Sequence, residues 1–313
     1  MEKIYDVIIV GAGPAGLSAG IYLGRGKVST LILEKAGVGA LLSAHKIENY
    51  PGFFHSPSGK EIYEAMKKQA LSYNVEIQEA TVLGFDPYEE IKIVKTDQGN
   101  FKCRYIIIAS GMLKAKKVAG EAKYIGAGVS YCATCDGAFT RNRIVSLVGK
   151  GEELAEEALF LTRFAKEIHI YVTEETLEAP QEVLKALSEN EKVQIRYSLS
   201  LKEVKGDEEA LTSFVLEDQE GNLSEENTDF LFLYLGTKSN TELFGEFADM
   251  DSKGFIKTNE KMQIRTPNMY AIGDIREKEI RQVTTATNDG TIAASMIIKD
   301  ILTKKQINKI HYE

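Results

Sequence analysis

The apolar residues of this chain fall in short blocks that alternate between strand and helix periods. Tyr5–Val10 is an almost unbroken apolar run of the length expected for a strand buried on both faces. A glycine-rich turn, Gly11–Gly16, leads into a helical stretch at Leu17–Gly24, and Thr30–Leu33 is a second buried strand that ends in Glu34. Lys60–Tyr73 sets Ile62, Met66, Ala70 and Tyr73 on one helical face, a core stripe rather than a site. Val75–Asp97 alternates as antiparallel strands with a turn near Pro87, and Phe101–Ile108 is a further strand running into Ala109-Ser110-Gly111. The order then starts again. Arg143–Val148 reads as a strand, Gly149–Leu154 as a turn, Ala155–Phe164 as a helix and Ile168–Val172 as the next strand. Phe230–Leu235 is a late strand ending in Gly236, and a final helix is predicted from about Gly290 to Leu302. The repeated start predicts an α/β protein with two doubly wound, Rossmann-like modules.

The first turn carries the clearer chemistry. Gly11 permits the tight turn, Gly13 lets the backbone approach a pyrophosphate, and Gly16 allows close packing of helix on strand. The helix start then faces the phosphates, and Glu34 can accept from a ribose hydroxyl. Glu34 lies 23 residues after Gly11, near the usual spacing of about 20. These features point to a dinucleotide without separating FAD from NAD.

Composition adds bounds. The 313 residues suffice for two domains. No apolar run reaches the roughly 18–20 residues of a membrane span, and the first residues lack the features of a signal peptide. A cytoplasmic protein with no membrane partner is expected. The net charge of −8 argues against a nucleic-acid partner. Residues 1–120, 121–243 and 244–313 carry +3, −12 and +1, so an acidic middle block marks a candidate domain. Within it lies Tyr131-Cys132-Ala133-Thr134-Cys135-Asp136, a CxxC pair with an acid directly behind. Such a pair can close a disulfide and carry two electrons, with Asp136 where a proton donor or acceptor is useful. A structural disulfide or half of a zinc site are the plainer alternatives, although His45, His55, His169 and His311 lack zinc-site spacing. Cys103, between Lys102 and Arg104, reads as a filler thiol in a strand.

Taken together, Cys132–Asp136, Gly11–Gly16, Glu48-Asn49-Tyr50-Pro51-Gly52, Met269–Asp274 and Arg281-Gln282-Val283 resemble the low-molecular-weight thioredoxin reductase family nearly end to end. The resemblance implies a discontinuous FAD-binding domain, residues 1–116 and 245–313, with an NAD(P)H-binding-like domain, residues 117–244, inserted and carrying the CxxC. It also implies one FAD per chain, a homodimer, and thioredoxin as partner. On the same carry-over Gly11, Gly13, Pro14, Ala15, Gly16, Glu34, Lys35, Gly39, Leu41, Asn49, Ala109 and Gly111 belong to the FAD site. Gly273 and Asp274 would close on the FAD phosphate and ribitol, and Arg281, Gln282 and Val283 would lie along the flavin. Cys135 is then the flavin-proximal thiol, Cys132 attacks the thioredoxin disulfide, and Asp136 handles the proton.

The inserted module departs from the family pattern. The family's NADPH motif, Gly-Gly-Gly-Asp/Asn-Ser-Ala, stands here as Gly149-Lys150-Gly151-Glu152-Glu153-Leu154. Leu154 is expected to wedge helix from strand or fill nucleotide space. Glu152 and Glu153, in the first helical turn, already satisfy the helix dipole and repel a pyrophosphate. Val172-Thr173-Glu174-Glu175 replaces the arginines that hold the 2′-phosphate. NADPH is therefore not expected to bind. The pattern is similar to ferredoxin-dependent flavin thioredoxin reductase of the clostridial type, with reduced ferredoxin as donor. The flanking blocks, +4 together, suit an acidic ferredoxin. The alternatives are NADH bound through an acid at the strand end, a diverged NADPH site, a second flavin in the altered module, and a non-catalytic flavin redox sensor. Val38-Gly39-Ala40-Leu41 replaces the family's Gly-Gly-Gln-Leu, His45 replaces a threonine in the same loop and reads as a surface or packed histidine rather than one that tunes the flavin, and Asn288 replaces a glycine without evident reason. Hinges are expected near Lys114–Ala119 and Asn240–Glu246.

Overall fold

The computed structural model describes residues 3–35, 37, 39–44, 46–114, 118–239 and 243–310. Val38, His45, Lys116, Lys117, Asn240 and His311 lie outside the described residues. The chain divides into two compact units. Met1–Ser43, Tyr50–Leu113 and Lys238–Glu313 form one, and Ala44–Asn49 with Lys114–Thr237 form the other.

The first unit begins with β1 (Ile4–Val10), α1 (Pro14–Arg25), β2 (Thr30–Glu34), α2 (Gly59–Ser72), β3 (Glu76–Glu79), β4 (Val82–Asp86), β5 (Lys92–Thr96) and β6 (Gly99–Ile108). Strand β1 is central, pairing in parallel with β2 through Val7–Thr30 to Val10–Leu33 and with β6 through Ile4–Lys102 to Val10–Ile108. That position explains its apolar run, because both faces are covered. The sheet order is β3-β2-β1-β6-β5-β4, with β4 and β5 antiparallel. Helix α2 starts on a capping box in which Ser58 and Glu61 exchange hydrogen bonds. Its stripe of Ile62, Met66 and Ala70 is buried. Tyr73 is not part of that stripe: it caps the helix after Ser72 and is 37% exposed.

The second unit follows β7 (Met112–Lys114). Its elements are α3 (Glu121–Tyr124), β8 (Val129–Ser130), α4 (Ala133–Asp136), β9 (Ile144–Gly149), α5 (Gly151–Leu161), β10 (Glu167–Val172), α6 (Gln181–Ser188), β11 (Val193–Arg196), β12 (Ser200–Gly206), β13 (Leu211–Glu217), β14 (Leu223–Asn227) and β15 (Phe230–Tyr234). Strand β16 (Thr237–Ser239) then pairs with β7. A parallel sheet of order β11-β10-β9-β15-β8 carries the doubly wound core. A second, antiparallel sheet, β12-β13-β14, has no counterpart in the sequence reading. Its outer positions are charged, with pairs such as Lys205–Glu225, while Leu201, Val204, Phe214 and Leu216 are buried beneath. Charge on every second residue masked a half-buried sheet.

The chain returns to the first unit with β17 (Met269–Ala271) and α7 (Val283–Ile310). Strand β17 extends the sheet by pairing Met269–Ala271 with Ile106–Ile108. Helix α7 begins well before the expected Gly290. Threonine hydroxyls there bond back to helix carbonyls, Thr287 to Thr284 and Thr291 to Thr287. That absorbs side chains whose type argues against a helix. The helix lies close on α1, since a Cβ at Gly290 would stand 2.3 Å from the Ala15 carbonyl oxygen.

Candidate active site

In the first glycine turn, the three glycines have different surroundings. Gly11 has φ +112°, and a Cβ there would lie 2.3 Å from the Ala109 carbonyl oxygen. A Cβ at Gly16 would lie 1.9 Å from the Gly11 carbonyl oxygen. At Gly13 a Cβ would meet nothing within 4 Å. Gly11 and Gly16 therefore close the turn, while Gly13 faces open space. Gly13 caps α1 without a side-chain hydrogen bond, Pro14 opens the helix, and no acid occupies the first turn. The amides of that turn are left for an anion.

Ala109 and Gly273 stand against the turn, and the other expected residues lie on the elements described next. Glu34, at the end of β2, accepts from Tyr63 Oη at 2.6 Å and from Lys67 Nζ at 2.6 Å, so α2 orients the acid. Lys35 lines an open cavity of about 260 Å³ with Ala80, Thr81 and Asp97. Ala109 and Gly111 follow β6, Gly111 at φ +64°. Gly273, φ +76°, packs toward Ala15. Asp274 Oδ1 is buried without a partner, and burial pushes its carboxyl up. An orphaned buried carboxylate oxygen beside an open glycine turn suits a polar ligand such as a dinucleotide. Arg281 lies over the Phe255 ring, 3.9 Å from its centroid, the Gln282 amide donates to Thr285 Oγ1, and Val283 opens α7. Leu41 is buried in the short turn Ala40–Ser43 that follows Gly39. Asn49 is the exception: it is exposed and groups with the second unit.

Sequence reasoning missed Asp289. Its side chain, 2% exposed, accepts from the Gly273 amide at 3.0 Å, from Arg276 Nε at 2.9 Å and from Lys278 Nζ at 2.8 Å. Burial works to raise this carboxyl, but the bonds from Arg276 and Lys278 outweigh it and hold it below the usual range. Asp289 thereby pins the turn that presents Asp274. Only an acid next to the small residues of an otherwise packed helix hinted at it. Asn288 beside it is exposed, so nothing at that position requires glycine.

In the second unit Cys132 and Cys135 form a disulfide, with their Cα atoms 5.3 Å apart. Cys132 caps the one-turn helix α4, and its Sγ accepts from the Cys135 amide at 3.2 Å. Asp136 is tied in through Ser130. The Ser130 hydroxyl donates to Asp136 Oδ2 at 2.6 Å and accepts from the Cys132 amide at 3.2 Å. Burial raises the Asp136 carboxyl, the Ser130 bond opposes that, and Glu48 adds to it. A second carboxyl, Glu157 of α5, escaped the sequence reading. It accepts from the Thr134 amide at 3.1 Å and from Tyr234 Oη at 3.3 Å, while Tyr234 Oη accepts from the Ala133 amide at 3.2 Å. Its signal was positional: Glu157 stands three residues from Leu154 and four from Leu161, beside the buried stripe of α5. Cys103 is fully buried in the core of the first unit, and burial pushes its thiol up to about 12. Among the described residues no group of three His, Cys, Asp or Glu side chains could hold a metal.

The second glycine turn offers a different surface. Helix α5 starts at Gly151, with Glu152 and Glu153 exposed in its first turn. Lys150 Nζ pairs with Glu174 Oε1 at 2.5 Å. Leu154 does not wedge the helix away: it is fully buried in the core with Leu147, Ile170 and Ala133. An apolar side chain on the buried face of α5 gains more from that core than from standing in a polar turn.

The family profile described as pyridine nucleotide-disulphide oxidoreductase matches residues 5–290. Thioredoxin reductase of Bacillus subtilis is 38% identical over 301 residues, 95% of this chain and 94% of that protein. The crystal structure of thioredoxin reductase from Streptococcus pyogenes superposes with a TM-score of 0.90 at 33% identity, covering 97% of this chain and 100% of that one. A ferredoxin-flavin thioredoxin reductase from Clostridium acetobutylicum superposes with a TM-score of 0.53 at 26% identity, covering 97% and 100%. This two-unit α/β chain, with its open glycine turn and its Cys132–Cys135 disulfide, belongs to the thioredoxin reductase family of flavoprotein disulfide reductases.

Proposed function

We propose that the protein is an FAD-dependent thioredoxin reductase that takes its electrons from reduced ferredoxin rather than from NADPH. The observation that carries the donor assignment is the second glycine turn. Its one cation, Lys150, is paired with Glu174, and Glu152 and Glu153 stand exposed at the start of α5. A pyrophosphate approaching there meets carboxylates where it needs amides and cations. The residues present do not fit NADPH. The Clostridium acetobutylicum structure supports a ferredoxin-linked relative of the same fold.

The first turn does fit a dinucleotide. Gly11, Gly13, Pro14, Ala15 and Gly16 would take the pyrophosphate of FAD, Glu34 and Lys35 the adenosine side, and Asp274 the ribitol. Gly39, Leu41, Asn49, Ala109, Gly111, Gly273, Arg281, Gln282 and Val283 complete the set. FAD bound there would supply the electron pair that opens the Cys132–Cys135 disulfide. The reduced pair then acts through its own sulfurs. Cys132 attacks one sulfur of the thioredoxin disulfide and releases the other as a thiolate. Cys135 attacks the mixed disulfide at Cys132, which frees thioredoxin as a dithiol and restores the Cys132–Cys135 bond. Asp136, poised by Ser130, holds and returns the proton exchanged with the thiols. We assign the chain to a cytoplasmic homodimer with the FAD domain formed by residues 1–116 and 245–313.

The test is an anaerobic titration with NADPH, NADH and reduced ferredoxin side by side. Reduced ferredoxin is expected to bleach the flavin and to support thioredoxin reduction. Rapid bleaching by stoichiometric NADPH or NADH overturns the donor assignment.

A further inference from the structure

We propose that Glu157 is a positioning residue of the dithiol: with Tyr234 it holds the peptide amides of Ala133 and Thr134, and its charge makes Cys132 a weaker acid. The inference rests on the reading of Cys132 as the attacking thiol. Amides at the start of a CxxC turn are the local positive ends that stabilise a thiolate. Here two of them are already taken. The Ala133 amide donates to Tyr234 Oη, and the Thr134 amide donates to Glu157 Oε2. Tyr234 Oη in turn donates to the same Glu157 oxygen. The Thr134 hydroxyl lies 3.2 Å from Cys132 Sγ, so the residue that Glu157 grips by its amide touches the attacking sulfur with its side chain. A thiolate at Cys132 keeps the Cys135 amide as a donor, but the Ala133 and Thr134 amides of the same turn are already engaged, the latter by a carboxylate, and both raise the cost of ionisation.

The surroundings do not cancel that charge. Burial raises the Glu157 carboxyl, the Ala133 and Thr134 amides and Tyr234 hydroxyl oppose this, and Glu153 on the same helix adds to it. Among the other elements at this place, α4 contributes Asp136, with Glu48 acting on it. On neighbouring elements α6 carries Glu182 and Lys185, and β10 carries Glu167 and His169. The carboxyl is held by donors that are neutral, so its charge is shared with no cation in these bonds.

The experiment reads the sulfur directly. The FAD-loaded protein is reduced with a chemical reductant, and the rate of Cys132 alkylation by iodoacetamide is followed against pH, with mass spectrometry locating the label. Glu157→Gln keeps the size and an accepting oxygen but removes the charge. Its alkylation midpoint is expected to fall by about one pH unit, the scale of a neighbouring like charge. Tyr234→Phe is expected to shift the midpoint the same way. It frees the Ala133 amide and removes a donor that keeps Glu157 ionised. Glu153→Gln, on the exposed side of the same helix, is expected to shift it much less. An unchanged midpoint in both Glu157→Gln and Tyr234→Phe, or an equal shift in Glu153→Gln, overturns the proposal. Because a chemical reductant loads the thiols, the result is independent of whether ferredoxin is the donor.

Discussion

Lys150 and Glu174 form an ion pair of 2.5 Å across the second glycine turn, joining the residue after Gly149 to the residues after β10. In a dinucleotide-binding fold of this kind these two places face the phosphates and the adenosine ribose. Here they meet each other. Glu174→Arg alone is expected to leave stoichiometric NADPH unable to bleach the flavin, because Glu152 and Glu153 remain at the helix start. Replacing all three, with Glu152→Asn, Glu153→Ser and Glu174→Arg, is expected to give measurable NADPH binding by calorimetry. Tight NADPH binding by the unaltered protein contradicts both expectations.

Cys132→Ser and Cys135→Ser are each expected to lower thioredoxin reduction on the order of 10³-fold or more, as for members of a unit that act together. Cys135→Ser is also expected to accumulate a mixed disulfide between Cys132 and the partner, visible on a non-reducing gel. Undiminished disulfide reduction in both variants removes the mechanism.

The glycines of the first turn separate folding from cofactor binding. A Cβ at Gly16 would sit 1.9 Å from the Gly11 carbonyl oxygen, so Gly16→Ala is expected to destabilise the first unit by several kcal/mol, on the order of overpacking or more. Gly13→Ala meets nothing within 4 Å. It is expected to change stability by no more than about 1 kcal/mol, yet to weaken FAD retention at least about tenfold through lost approach to the pyrophosphate. Thermal melts of the cofactor-free protein and flavin release measure the two effects apart.

Asp289 gives the first unit an acid-sensitive point. Its carboxyl is held below the usual range, so the unfolded chain binds its proton more readily than the folded one. The stabilisation is complete above the ordinary Asp value of about 4 and is lost as pH falls through the lower folded value. Asp289→Ala, which strands Arg276 and Lys278, is expected to cost about 3–5 kcal/mol at neutral pH. Asp289→Asn is expected to flatten the acid limb of stability against pH. Denaturant melts taken from neutral pH down through and below the ordinary Asp value of about 4 check both.

How much of this was legible beforehand differs by residue. The first βαβ unit was readable because Tyr5–Val10, Gly11–Gly16 and Glu34 combine a period, a turn and an acid in the order that one structure demands. The Cys132–Cys135 pair was readable as a dithiol from its spacing, although spacing did not by itself separate a disulfide from half of a zinc site. The sheet β12-β13-β14 was not, since Lys202, Glu203, Lys205, Glu225 and Glu226 give its sequence the look of a solvated loop. The start of α7 was hidden by threonines whose hydroxyls are satisfied only within the helix. Asp289 and Glu157 left only faint positional hints, for another reason. Each owes its role to partners 11–16 and 23–77 residues away, and no local pattern records such meetings.

The sealed position of Cys103 makes the protein its own electron counter. That thiol is fully buried and too weak an acid to react with a water-borne thiol reagent under native conditions. The oxidised chain should therefore show no titratable sulfhydryl, and the loaded chain should show Cys132 and Cys135 alone. A colorimetric thiol assay on the native protein then reports how many electron pairs are stored on sulfur, whatever the colour of the flavin.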